Sequence, residues 1–129
     1  MIDNIIYQIL AAASGVTSLV GTSIFTVLAS QSNLSAYVVI HIIDIVPENT
    51  KDGVSKLDQV RVQIDSFHGT KSSCDSLAVA IRTALDNYSG SVGTTLIDNI
   101  YFDQALNDYD YDRDLYKVQQ DFIVRHKRS

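Results

Sequence analysis

Residues 37–46 read Tyr-Val-Val-Ile-His-Ile-Ile-Asp-Ile-Val, apolar throughout except at His41 and Asp44. The run is too rich in β-branched residues for a helix and is expected to form a strand that stops at Pro47. A strand with one face in water alternates apolar and polar residues; this one does not, so both of its faces need cover. The next strand, Gln59–Phe67, sets Val60, Val62 and Ile64 against Arg61, Gln63 and Asp65, and so buries a single face. A short chain can pack helices on one side of such a pair. The second face of the Tyr37 strand then stays apolar and exposed, which marks an interface.

The remaining elements follow from spacing. Ile2, Ile5, Ile6, Ile9, Leu10 and Ala13 make one stripe of an amphipathic helix, expected to end at Ser14-Gly15 with Gly15 in the left-handed conformation. A helical turn at Thr17–Val20, closed by Gly21, and a short extended piece at Ser23–Val27 lead into a polar loop over residues 29–35. Glu48–Lys56 carries an Asp-Gly turn signal. Leu77, Ala80, Ile81, Ala84, Leu85 and Tyr88 line a second helix, with capping oxygens at Thr70, Ser72 and Ser73. Gly90 and Gly93 close that segment. A strand over Thr94–Leu106, an Asp-rich turn over Asn107–Asp114 and a last strand over Leu115–Val124 complete the chain. The expected fold is one α+β domain over residues 1–129: a mostly antiparallel sheet of four to five strands with two main helices on one face.

Composition narrows the function. The chain has 129 residues, so one core is affordable and two would each be marginal. A net charge of −5 argues against a nucleic-acid binder of the usual basic kind. Fourteen of the fifteen acids are Asp, a bias toward turns over helix faces. No apolar run approaches the ~20 residues of a membrane helix. The N-terminus carries Asp3 and helical spacing instead of a basic leader, which points to synthesis in the cytoplasm without a signal peptide.

Candidate chemistry is thin. Asp108, Asp110, Asp112 and Asp114 share the spacing of a calcium loop, but Arg113 and Gln119 stand where such a loop needs Gly and Glu. A solvated turn is the plainer reading, and a small metal-dependent enzyme built on Asp108–Asp114 is kept as an alternative of another class. The lone Cys74 follows His68 by six residues with no third group to orient a nucleophile, so a small partly buried cysteine is expected. His41 reads as a satisfied core or interface histidine, and the three histidines lack metal-ligand spacing. Gly90-Ser91-Val92-Gly93 has no lysine to make a phosphate loop. No catalytic, cofactor or metal site is expected. The basic end, Arg125-His126-Lys127-Arg128, reads first as a solvated terminus. It could also meet an acidic patch on a neighbouring copy, and such head-to-tail contacts can close into a ring.

In order and spacing, several segments together resemble the tail-completion (tail-terminator) proteins of long-tailed bacteriophages and prophages. These are the N-terminal helix, ASGVTSLVGTSIFTV with its V-x-x-L-V-G turn, AYVVIHII, QVRVQIDSF, LAVAIRTAL, the Asp-rich turn and LYKVQQDFIV. One departure is Ala36 before Tyr37, where the family often has Pro. The resemblance implies a virion structural protein, not an enzyme. It implies a ring, usually of six, that caps the tail tube at its head-proximal end and is assembled in the host cytoplasm. The partners it implies are further copies of the chain, the tail tube protein and the head connector or stopper, with DNA only as passing cargo and no membrane. A neck or head-closure adaptor is the alternative within the same machinery. The expected subunit contacts are Tyr37, Val39 and Ile43 on the doubly apolar strand, with Asp110, Asp112, Arg125 and Arg128 as charged contacts.

Overall fold

The computed structural model describes residues 2–26, 36–50, 53–112 and 114–127, with backbone alone for 47–50 and 53–57. Three helices, α1 (Ile2–Ala11), α2 (Ser14–Val20) and α3 (Lys71–Leu85), pack on a sheet. Its strands are β1 (Ile24–Phe25), β2 (Ala36–Thr50), β3 (Gly53–His68), β4 (Gly90–Val92), β5 (Thr95–Asp110) and β6 (Leu115–Lys127). Their order across the sheet is β1-β2-β3-β6-β5-β4. Every pairing is antiparallel except β1 with β2. The α+β class is as expected, but the sheet has six strands rather than four or five, and there are three helices rather than two. The additional elements are the shortest ones: α2 and β1 stand where a helical turn at Thr17–Val20 and a short extended piece at Ser23–Val27 were expected, and only β4, three residues long, had no counterpart in the sequence pattern.

The expected helical stripes supply the core. Ile2, Ile5, Ile6 and Leu10 of α1 and Leu77, Ile81 and Leu85 of α3 pack against one sheet face. That face contributes Val38 and Ile40 from β2, Val60, Val62 and Ile64 from β3, and Phe122 and Val124 from β6. Thr70 caps α3, its Oγ1 accepting the Ser73 N–H at 3.3 Å. Gly15 does not end a helix; it lies inside α2, where a Cβ would stand 3.4 Å from that of Ala80, so its smallness serves the approach of α2 to α3. Gly21, at φ +59, is the residue that closes α2.

The four long strands all run further than expected, β3 from Gly53 to His68 and β6 to Lys127. β2 continues through Pro47 to Thr50, with bulges at Ile42/Asp44 and Pro47/Asn49. Proline is tolerated there because β2 lies near the margin of the sheet, with β3 its one neighbour at that height among the described residues. β5 reaches Asp110, so residues 107–110 belong to the strand and the turn is shorter than the sequence suggests. Residues 29–35, expected as a loop, lie outside the described residues.

Candidate assembly surfaces

On the sheet face opposite the helices, register brings two groups of side chains together, and further along β2 apolar side chains of both faces stand open. At one end, Tyr37, Val39, Phe67 and Leu115 form a second buried cluster with Phe25 against it. The Tyr37 and Phe67 rings stack at 4.4 Å, and Phe25 meets Tyr37 edge-on at 6.4 Å. Tyr37 pairs with Phe67 across β2 and β3, and Phe67 with Lys117 of β6, whose Nζ stands 5.7 Å from the Phe67 ring centre. Tyr37 and Val39 were expected to be exposed. Both are 1 % exposed, because the aromatics of β1 and β3 and Leu115 of β6 close over them within the chain.

The middle of this face is a charge network. Arg61 donates to Asp103 at 2.7 Å and reaches Asp121 at 3.5 Å. The bond to Asp103 raises the guanidinium's pKa further. Gln104 donates to Asp121 at 2.9 Å. Asp65 takes Gln63 Nε2 at 3.1 Å, with His41 Nε2 at 3.3 Å and Lys117 Nζ at 3.9 Å. Asp65 and Asp121 are buried, and these donors and cations are what make such burial tolerable. The alternation in β3 and β6 announced a polar face. It did not announce which charges pair, since that depends on strand order.

At the other end the apolar character of β2 is open to solvent: Ile43 is 49 %, Ile45 48 % and Val46 51 % exposed. Ile43 is therefore the member of the expected apolar trio that stands on the surface. The charged residues expected as contacts divide between opposite ends of β6. Asp110 and Asp112 sit at the β5–β6 turn, where Asp110 Oδ1 accepts the Asp112 N–H at 3.0 Å. Asp108 and Asp114 also serve the hairpin, accepting the Tyr109 N–H at 2.8 Å and the Tyr109 hydroxyl at 3.5 Å. Arg125 lies at the far end and binds Asp98 at 3.2 Å within its own chain. Arg128 lies outside the described residues.

Among the described residues no group of three or more His, Cys, Asp or Glu side chains could hold a metal ion. Cys74 is fully buried, its thiol directed to the carbonyls of Ser66 and Tyr116 at 3.4 Å each, and burial pushes its pKa up to about 11. A nucleophilic cysteine needs the opposite shift. An open cleft of about 290 Å³ separates α3 from β5 and β6. Its charged groups are engaged: Asp75 with Lys71 at 2.8 Å, and Arg82 with Asp86 at 3.7 Å and over the Phe102 ring at 4.0 Å. No helix among the described residues is long and apolar enough to cross a membrane.

This geometry, rich in faces and edges and poor in reactive groups, agrees with what the chain is similar to. The family model described as tail completion protein gp17 matches residues 5–127. The chain belongs to that family. As a tail completion protein it is a structural component of a bacteriophage tail, and hence of a virion. No curated protein matches the chain. Among solved structures it is similar to a chain of the virion of a native gene transfer agent particle, with a TM-score of 0.79 at 18 % identity over 95 % of this chain and 91 % of that one. At that identity the likeness is one of fold, and it extends over nearly the whole tail completion domain.

Proposed function

We propose that the chain is a tail-terminator subunit. Copies of it form a ring, a hexamer in the reading that the family resemblance gives, at the head-proximal end of the tail tube. The ring ends tube growth and presents the surface on which the head connector or stopper docks; DNA passes through it as cargo. The observation that carries this reading is the family match over residues 5–127, joined to a fold whose unusual features are open apolar strand surface and charged faces without reactive groups. Ile43, with Asp110, Asp112 and the basic end from Arg125 to Arg128, remains the proposed contact set. Tyr37 and Val39 act beneath it by holding β2 in place.

Native mass spectrometry and negative-stain imaging of the purified chain test the ring. Addition of the chain to tails assembled without it tests termination. A ring that binds one end of such tails and gives them a uniform length is the expected result. A strict monomer that leaves tail length and head joining unchanged removes the proposal.

A further inference from the structure

The outer margin of β5 is covered by the chain itself at one end and open at the other. β4 pairs as far as Ile97, Ile100 exchanges bonds with Asn87 and Tyr88 at 2.7 and 3.0 Å, and the Phe102 N–H donates to Asp86 at 3.1 Å. From Asp103 to Asp108 every residue is exposed, although neighbours in a strand face opposite ways, and no described residue bonds the margin. β1 and β2, the strands on either side of the undescribed residues 27–35, lie toward the opposite margin. The cleft beside α3 adjoins this open stretch. Ala105 pairs with Gln120 and Asn107 with Val118, and all four line the cleft, so on the helix face the margin opens into it. Ala78 and Val79 of α3 form its wall, Val79 being 64 % exposed. On the floor Gln120 is 3 % exposed; its Nε2 donates to Ala78 O at 3.1 Å, and its Oε1 accepts no bond from a described residue. A buried acceptor is rarely left unbonded, so the cleft floor is unfinished in the single chain. The other face of the same stretch is acidic. Arg61 is divided between Asp103 and Asp121, Lys117 leans toward Asp65, and Asp108 is left with the Tyr109 N–H at 2.8 Å.

We infer that an extended segment of another protein adds as a strand to β5 between Asp103 and Asp108. Its alternate side chains are small and apolar where they enter the α3 cleft, and lysine or arginine where they face Asp103 and Asp108. An open edge beside a helix-walled cleft suits this mode of binding: main-chain bonds to the edge hold the segment, and alternate side chains read the cleft. A helix laid in the cleft would leave the outward N–H and C=O groups of β5 unpaired, whereas an extended chain satisfies them. The crossing of Asp86 over the margin at Phe102 and the β5–β6 turn bound the stretch, so about six residues, roughly 20 Å of strand, are seated. Charge selects the partner. Cations opposite Asp103 and Asp108 are favoured, while β5 of a second copy would set the same acids against them. Among the described residues of this chain no strand free of partners alternates apolar with basic residues, so the segment belongs to a different protein. The inference goes beyond the ring reading and does not depend on it.

The probe is an acetylated peptide, Lys-Val-Lys-Val-Lys-Val, added to the full chain at low salt. Two controls accompany it: Glu-Val-Glu-Val-Glu-Val, and Lys-Lys-Lys-Val-Val-Val, which keeps the charge and loses the alternation. The alternating basic peptide is expected to bind roughly tenfold more tightly than either control in fluorescence anisotropy. It should also slow hydrogen exchange at the amides of residues 103–108 while leaving β2 unchanged. Val79→Lys, at an exposed helix position that tolerates lysine, is expected to weaken the binding severalfold without altering the unfolding midpoint. Equal binding of the two basic peptides shows attraction by net charge alone and overturns the inference. So does an absence of binding, binding that leaves the 103–108 amides as they are in the free protein, or binding indifferent to Val79→Lys. Protection of 103–108 that grows with protein concentration and no peptide gives the edge to a second copy and overturns it as well. None of these results bears on whether the chain forms a ring, which imaging of the purified chain decides separately.

Discussion

Between Tyr37 and Ile40 every side chain of β2 is exposed by 1 % or less, whereas Ile43, Ile45 and Val46 further along are each about half exposed. Residue type does not separate the two halves, since both are dominated by Val and Ile. Cover does. The first half has β1 on its edge, α1 and α2 near one face, and Phe25, Phe67 and Leu115 over the other. The second half has β3 on one side and no described neighbour on the other, and a bulge at Ile42/Asp44 separates the two. An apolar strand thus does one of two jobs in the same chain: stabilising the monomer where the chain covers it, and offering surface where it does not.

The largest test of that division is Tyr37→Ala, which removes the ring stacked on Phe67 and leaves a cavity under Phe25. It is expected to cost about 3–5 kcal/mol of folding stability in denaturant titration. A loss below about 1 kcal/mol would show that the second cluster is not part of the core. The thiol of Cys74 gives the next effect. Its folded pKa is raised from 9.0 to about 11, so its contribution is intact below pH 9 and is lost as the pH rises toward 11, where the unfolded chain ionises first. The intact chain should lose about 2 kcal/mol more than Cys74→Ala over that window, read as the difference between their unfolding midpoints. Equal losses would mean that the site opens to water. Arg61→Ala removes the cation beside Asp103 and the buried Asp121, which keeps only the Gln104 amide of its bonds named above, and is expected to cost about 1–2 kcal/mol, partly restored by a second change at Asp103. Smallest is Ile43→Ser, which should alter monomer stability by no more than ~0.5 kcal/mol while weakening assembly in sedimentation. A large folding loss at Ile43 would erase the distinction between the halves.

Much of this was legible before any coordinates. The stripe of α3, its Thr70 cap, the alternation of Val60, Val62 and Ile64, and the strand at Tyr37 are local patterns with a period, and local patterns survive folding. The second face of β2 was legible as a problem but not as a solution. Phe25 lies in a strand of two residues, and Leu115 enters from the far end of the chain, so no window of sequence could pair them with Tyr37. The same holds for Arg61 with Asp103 and Asp121, 42 and 60 residues away. Pro47 misled because a proline ends central strands, and only the sheet order places β2 near a margin.

The sequence by itself determined that one strand is apolar on both faces, that helices cover one side of the sheet, and that acids gather where β5 turns into β6. Periodicity and turn chemistry act over a few residues, so they are written in the order of the chain. Only the tertiary structure decided that Tyr37 and Val39 are buried and Ile43 is not, that Asp65 and Asp121 are buried beside Lys117 and Arg61, and that β2 and β5 lie toward opposite margins of the sheet. Those outcomes depend on strand order and register, which join residues far apart in the chain and decide which apolar surface water still reaches.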